Sequence, residues 1–439
     1  MVKIVNPLKA EWIAGLGTYL QAPLIRNAYA LILSSASTSG LGLLYWVLAA
    51  RNYPALIVGL NSAAISALQF LTSVSMLSQD GALVRFIPVS GKHTRRLVDQ
   101  VYLTVLATAF VAGLIFTQGL DWWAPQLSTL AANGWAKAAF ILALMAWCIY
   151  TLEDSAMAGL RESVWVPLKN ITFALAKILL LVAFAGFWQQ YGIFASWLVA
   201  ALAVLFPAYA LIIRRLIPRQ AAADPQREGP KPGGSLAKEF SRYVGGNFPA
   251  SLLLAGFTSL LPVLVTELAG AQANAYFYPP WMIVTALQLV SINMAVSFTV
   301  EATIDRQNLG LYSRRVLLHN LHLFIPVALG LLAAAPYLLL IFGPHYSAEG
   351  TMLLRLLALS ILPNSLVWLY IGTARVRNQP KGVVLVQGSL CVLVLGLSYF
   401  FLQEFGITGV GLAWLVSQTV IAVYLYLTQI KPIIAEGST

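Results

Sequence analysis

The feature that most constrains this chain is a succession of apolar runs, each about 20 residues long, filling nearly all of its 439 residues. A helix rises about 1.5 Å per residue, so a run of that length crosses the hydrocarbon core of a bilayer. Dividing the sequence by that rule predicts twelve spans, at 27–50, 55–78, 97–118, 133–157, 168–188, 192–213, 244–268, 271–300, 316–342, 351–374, 382–403 and 408–430. Only 10% of the residues are charged and 59% are hydrophobic, against about 25% and about 45–50% in soluble domains. Too few polar groups remain to cover a water-facing surface. The predicted fold class is therefore all-α, a polytopic membrane protein.

Orientation follows from the positive charges, because Lys and Arg accumulate in loops that stay in the cytoplasm. With the amino terminus inside, all but four of the 27 Lys and Arg residues fall on cytoplasmic stretches; the exceptions are Arg51, Lys137, Lys177 and Arg355. An odd number of spans would scatter that charge over both sides, so both termini are expected in the cytoplasm. The net charge of +11 then reads as topology plus attraction to anionic lipid headgroups, with no nucleic-acid partner. The first 24 residues lack the short apolar core and small-residue cleavage site of a signal peptide. With Trp12 and Tyr19 they read as a helix lying on the inner surface.

One stretch departs from the apolar pattern. Arg214 to Tyr243 is basic, rich in Pro and Gly, and follows the sixth span. The predicted organisation is an N-terminal six-helix lobe at 1–213, a cytoplasmic linker at 214–243 and a C-terminal six-helix lobe at 244–439. A short echo supports duplication: Ala67-Leu68-Gln69-Phe70 in the second span matches Ala286-Leu287-Gln288-Leu289 in the second span of the other half. Repeated bundles of this kind place a transported substrate between them.

Chemistry has little to work with. The longest outer loop, from Gln118 to Asn133, is too short for a catalytic domain, and Asp80, Asp99, Asp121, Asp154, Asp224 and Asp305 form no Asp-x-Asp pair. His93 and His345 lie in loops, while His319 and His322 share the start of the ninth span as a polar collar; zinc would need a tighter cluster. Cys148 and Cys391 sit in apolar runs, where a thiol packs as a small hydrophobe. No phosphate-cradling Gly-rich motif ending in Lys-Ser/Thr occurs. The expectation is a non-enzyme with no metal and no cofactor.

The informative residues are the polar groups at membrane depth, where burial is costly enough to mark function. Lys177, in the middle of the fifth span, either snorkels to an interface or faces a cavity. Arg26 opens the first span as an anchor or a ligand contact. Glu153 and Asp154, in the inner part of the fourth span, either neutralise Arg161 or bind a coupling ion. Arg355 reads as interfacial. Asn61 and Gln69 in the second span, Asn247 in the seventh, and Tyr276, Tyr278, Gln288 and Asn293 in the eighth suit a hydroxyl-rich ligand, because amides and phenols both donate and accept hydrogen bonds. The serines at 34, 35, 37, 39, 62 and 66 read mainly as packing surfaces. Pro249, Pro262, Pro279, Pro280, Pro326, Pro336 and Pro363 predict kinked helices in the second half.

In this order the features resemble a known family. The run LLYWVLAARNY from Leu43 to Tyr53 followed by Val58-Gly59, the run from Gly81 to Pro88, and Ala275 to Tyr278 with Trp281-Met282-Ile283 carry the likeness. So do Phe342 to Tyr346 followed by Leu353 to Ser360, and Gly409 to Leu415. They are similar to the polysaccharide-transport (Wzx-like oligosaccharide-lipid flippase) branch of the multidrug/oligosaccharidyl-lipid/polysaccharide exporter superfamily. The resemblance implies two pseudo-symmetric six-helix lobes in a V that opens alternately to either side of a bacterial inner membrane. It also implies undecaprenyl-diphosphate-linked oligosaccharide as cargo, for O-antigen, capsule or exopolysaccharide assembly, alongside a glycan polymerase or glycosyltransferases of the same pathway. Arg26 and Lys177 are its candidate diphosphate partners. Two alternatives stand beside it: a cation-coupled small-molecule exporter of the same fold, which would use Glu153 and Asp154, and a membrane glycan polymerase or ligase, which the short outer loops oppose.

Overall fold

A computed structural model describes residues 39–128, 133–223 and 235–436, and among these the regular structure is entirely helical. Arg26, the surface helix expected over the first 24 residues, and residues 224–234 of the expected linker lie outside the described residues. Backbone polar groups cannot stay bare in hydrocarbon, and a helix satisfies them within its own segment. The N-terminal lobe contains α1 (39–52), α2 (Ala55–Met76), the short α3 (Gln79–Phe86), α4 (Thr94–Gln118), α5 (Gly134–Gly159), α6 (Trp165–Ala185) and α7 (Gly192–Leu211). The C-terminal lobe contains α8 (Ser235–Ser259), α9 (Leu261–Ala269), α10 (Ala271–Ile304) and α11 (Leu309–Leu340). It continues with α12 (Pro344–Leu359), α13 (Ile361–Val376), α14 (Pro380–Phe405) and α15 (Ile407–Leu425).

Ten spans among the described residues are long and apolar enough to cross a membrane, with α8 and α9 counted together, and the pair α12–α13, bent by 40°, makes an eleventh. The described part of α1 covers the second half of the first predicted span, 27–50. The prolines act unequally. Ser259 and Leu261 flank a break just before Pro262, and the bend at Ser360 lies just before Pro363. In contrast α10 runs unbroken through Pro279 and Pro280, and α11 through Pro326 and Pro336. A proline near a helix start has no intrahelical N–H bond to lose, whereas one in the interior must be accommodated by bending.

Pseudo-symmetry shows most clearly at the lobe ends. Helix α7 passes through a π-turn, Ile212–Leu216, into Ile217–Ala223, and α15 passes through Tyr426–Ile430 into Lys431–Glu436. The first of these extensions carries Arg214 and Arg215, so the stretch from 214 to 223 is helical and the next described helix begins at Ser235. Arg85, Lys92, Arg95, Arg306 and Arg375 lie at the same end of the bundle, here the basic end; the opposite end is the far end.

Among the described residues, helices α2 and α10 make the broadest helix contact. Small residues on α2 permit it: a Cβ on Gly59 would lie 1.6 Å from the Ala271 carbonyl oxygen. Facing outward, Leu103, Leu179, Leu385 and Val392 are 71–73% exposed, the pattern of a surface wetted by lipid rather than water.

Candidate functional site

Where the lobes face one another they enclose a cavity of about 1010 Å³. Helices α1, α2, α6 and α7 line it from one lobe and α8, α10 and α11 from the other. Its wall is mixed. Ser39, Ser66, Gln69, Thr258, Thr285 and Asn293 present hydroxyls and amides, while Leu43, Leu287, Leu289, Val290, Val327 and Leu331 present hydrocarbon. Lys177 is the one charged side chain lining it among the described residues.

Lys177 does not snorkel. Its side chain stays at mid-helix, 6% exposed, with Nζ 4.6 Å from the Tyr45 ring centre, 4.6 Å from Trp197 and 5.1 Å from Phe173. Ring quadrupoles attract an ammonium without supplying a counter-charge, and the cavity is the side from which an anion would reach it. Tyr45 is itself anchored: its hydroxyl donates to the Ile193 carbonyl at 2.9 Å and lies in hydrogen-bond contact with Ser196 Oγ at 2.8 Å.

Of the residues singled out in the sequence, the cavity brings together Gln69, Lys177, Tyr278 and Asn293. Tyr278 also packs on Trp46 across the lobes, ring centres 4.6 Å apart. Gln288 lies next door, in a side pocket of about 200 Å³ that shares Thr258, Thr285 and Leu289 with the main cavity. There it meets Asn364, Gln387 and Gln418, three buried amides the sequence reading passed over; each of the four amides has a polar atom without a hydrogen-bond partner.

Other named residues lie elsewhere. Asn61 ties α2 to the start of α7: its Nδ2 donates to the carbonyls of Ile57 and Gln190, and its Oδ1 accepts from the Phe194 amide. It borders a separate, mainly apolar crevice. Asn247 is exposed and donates to the Tyr243 carbonyl. Tyr276 packs edge-on against Tyr346 within its own lobe and accepts from Gln272. Arg355 donates to the Leu332 carbonyl from a half-buried position.

Glu153 and Asp154 both form ion pairs with Lys169. The ammonium is 2.7 Å from Asp154 Oδ1 and 3.5 Å from Glu153 Oε2, and it donates to the Tyr150 carbonyl. Lys169, counted with the cytoplasmic charges at the start of the fifth span, is 5% exposed on α6.

The lobes are joined differently at the two ends. At the far end Asn274 Nδ2 donates to the Gly59 carbonyl and to Ser62 Oγ, buried, and Arg51 caps α11 by donating to the carbonyls of Leu340 and Ile341. At the basic end the contacts are between side chains: Arg85 with Glu239 at 3.2 Å, both more than half exposed, and Phe86 with Phe240 and Tyr243.

No protein-family model matches the sequence, and no curated protein matches it. Solved structures do match its fold. The lipid II flippase MurJ in an inward closed conformation gives a TM-score of 0.69 over 94% of this chain and 90% of its own, at 13% identity. A multidrug resistance MATE family transporter of the MOP superfamily, inward-facing, gives 0.61 over 94% and 96%, at 16% identity. A MOP superfamily transporter from Pyrococcus furiosus, reported with a binding pocket of reverse polarity, gives 0.56 over 95% and 96%, at 13% identity. These neighbours are transporters and a flippase rather than enzymes. The chain is thus a multi-pass membrane protein with the two-lobed, V-shaped fold of MOP-superfamily transporters.

Proposed function

We propose that the protein is a flippase that carries a polyprenyl-diphosphate-linked oligosaccharide across a bacterial inner membrane by alternating access, for surface-glycan assembly. The basic end would face the cytoplasm, and the chain would divide at 214–243 into its two moving lobes. One observation carries the reading: among the described residues, the cavity between the lobes combines one ring-caged cation with hydroxyls, amides and hydrocarbon side chains. A lipid-linked glycan carries the matching kinds of group. Its diphosphate would sit at Lys177, with Arg26 as a second cation, its sugar hydroxyls against Gln69, Asn293 and Thr285, and its tail along the leucines towards the bilayer. Enzymes acting on the same lipid-linked glycan before and after transport would be its pathway partners.

The aromatic walls supplied by Trp46, Trp197 and Trp281 favour a second reading, an exporter of flat apolar cations in the manner of a multidrug transporter. The two separate in reconstituted vesicles. The flippase reading expects movement of a fluorescent undecaprenyl-diphosphate oligosaccharide between leaflets, lost in Lys177→Ala. Uptake of cationic dyes with no movement of the lipid would replace it with the second.

A further inference from the structure

The geometry points to the side pocket of the C-terminal lobe as a subsite for an uncharged sugar residue bearing an acetamido group. The source of that residue, one sugar of the lipid-linked glycan, rests on the flippase reading. Four helices each send one amide to the pocket: Gln288 from α10, Asn364 from α13, Gln387 from α14 and Gln418 from α15. None of the four is more than 6% exposed. A buried amide without a partner forfeits the hydrogen bonds it made with water. Here the side-chain nitrogens of Gln288 and Gln418 and the side-chain oxygens of Asn364, Gln387 and Gln418 are all unpartnered. Buried polar groups are normally paired, so this many bare ones around one small space mark a place built for a polar guest.

The chemistry of the wall narrows the guest. Among the described residues no Asp, Glu, Lys, Arg or His lines the pocket. A cation or an anion would therefore bring in a charge that nothing there offsets. The guest must also accept from amide N–H groups and donate to amide oxygens, because bare atoms of both kinds are present. Sugar hydroxyls do both, and an acetamido group adds an N–H and a carbonyl of the same kind as the wall. Val367, Leu390 and Trp368 complete the lining, and their apolar surface suits the acetyl methyl and the C–H groups of a sugar ring.

The pocket opens from where the glycan would lie. It shares Thr258, Thr285 and Leu289 with the inter-lobe cavity, and its volume of about 200 Å³ beside about 1010 Å³ suits one sugar residue rather than a whole repeat. Its lining comes from α8, α10, α13, α14 and α15, all in the C-terminal lobe, so its walls do not depend on contact between the lobes. Lys177 belongs to the other lobe. A substrate with its diphosphate at Lys177 and one sugar in this pocket is held by both lobes at once.

Saturation-transfer NMR on the purified full-length protein in lipid tests this with methyl glycosides at millimolar concentration. The N-acetylglucosamine glycoside should bind, with the strongest saturation on its acetyl methyl, and the glucose glycoside should bind more weakly. The charged glucosamine and glucuronic acid glycosides should not bind. Gln387→Met and Asn364→Leu should each weaken binding about threefold to tenfold, the worth of one neutral hydrogen bond. Neither should lower the thermal unfolding temperature, because an apolar group replaces an unpartnered amide. The inference is overturned if the N-acetylglucosamine glycoside does not bind, if the glucose glycoside binds equally well, or if sodium displaces the sugar at constant ionic strength. Binding that is unchanged in both folded variants overturns it too. The glycoside series uses the unmutated protein, so a variant that fails to fold does not decide the matter. Binding by a protein that moves no lipid-linked glycan sinks the flippase reading and leaves the sugar site standing, whereas movement of the glycan without binding does the reverse.

Discussion

Lys169 and Lys177 lie two turns apart on α6, both buried, and they are stabilised by opposite means. Lys169 is closed in by two carboxylates, a carbonyl and the Tyr150 ring. Lys177 has aromatic rings and an open side on the cavity. A charge satisfied by counter-charges is spent on holding the lobe together, whereas one satisfied by ring faces keeps its attraction for an incoming anion. Between them Phe173 touches both environments, with ring centres 5.0 Å from Tyr150 and 5.8 Å from Trp197.

The largest effect expected is structural. Lys169→Ala leaves two carboxylates buried without their cation and should destabilise the protein by about 3–5 kcal/mol, read as a fall in thermal unfolding temperature and in membrane levels. Adding Glu153→Gln should restore part of that loss. A Lys169→Ala protein as stable as the wild type would break the comparison outright.

Lys177→Ala should leave stability within about 0.5–2 kcal/mol, the worth of the cation–π contacts, yet reduce flipping about tenfold or more, since a charged hydrogen bond is worth about 1.5–3 kcal/mol. Lys177→Arg should retain most of the rate. Equal losses of stability and transport would mean that this lysine, too, is structural.

Phe173→Leu sharpens the contrast at its midpoint. It should cost about 0.5–1.5 kcal/mol of ring contact and slow transport a few-fold, through looser positioning of Lys177. Asn247→Ala should do least, within about 0.5 kcal/mol in stability and with full transport in the same assay, because the side chain bonds only its own helix on an exposed face. A transport defect there would show that the cavity extends to a surface it does not reach in this conformation.

The spans were legible because each depends on about 20 consecutive residues and one dominant energy. The pairing of individual side chains was not. Asn61 and Gln69 sit on the same helix, two turns apart, yet Asn61 is consumed by backbone groups of α7 while Gln69 faces the cavity. Nothing in their immediate sequence separates them. Tyr276 and Tyr278 diverge for the period-dependent reason that neighbours two apart on a helix point to different faces. Lys169 escaped notice because position near a span boundary is the least certain part of a hydropathy reading, and Asn364, Gln387 and Gln418 because single amides in three distant spans show no common pattern until folding collects them.

By itself, the sequence determined that this chain is a polytopic bundle of membrane helices, since hydrophobic length is a local property that lipid reads directly. Only the tertiary structure decided which polar groups meet. It assigned Glu153 and Asp154 to Lys169, left Lys177 among rings at the edge of a cavity, and gathered four amides into one pocket. Those outcomes depend on helix rotation and on which backbones can approach closely, as Gly59 lets α2 approach α10, and such constraints act between segments far apart in the chain.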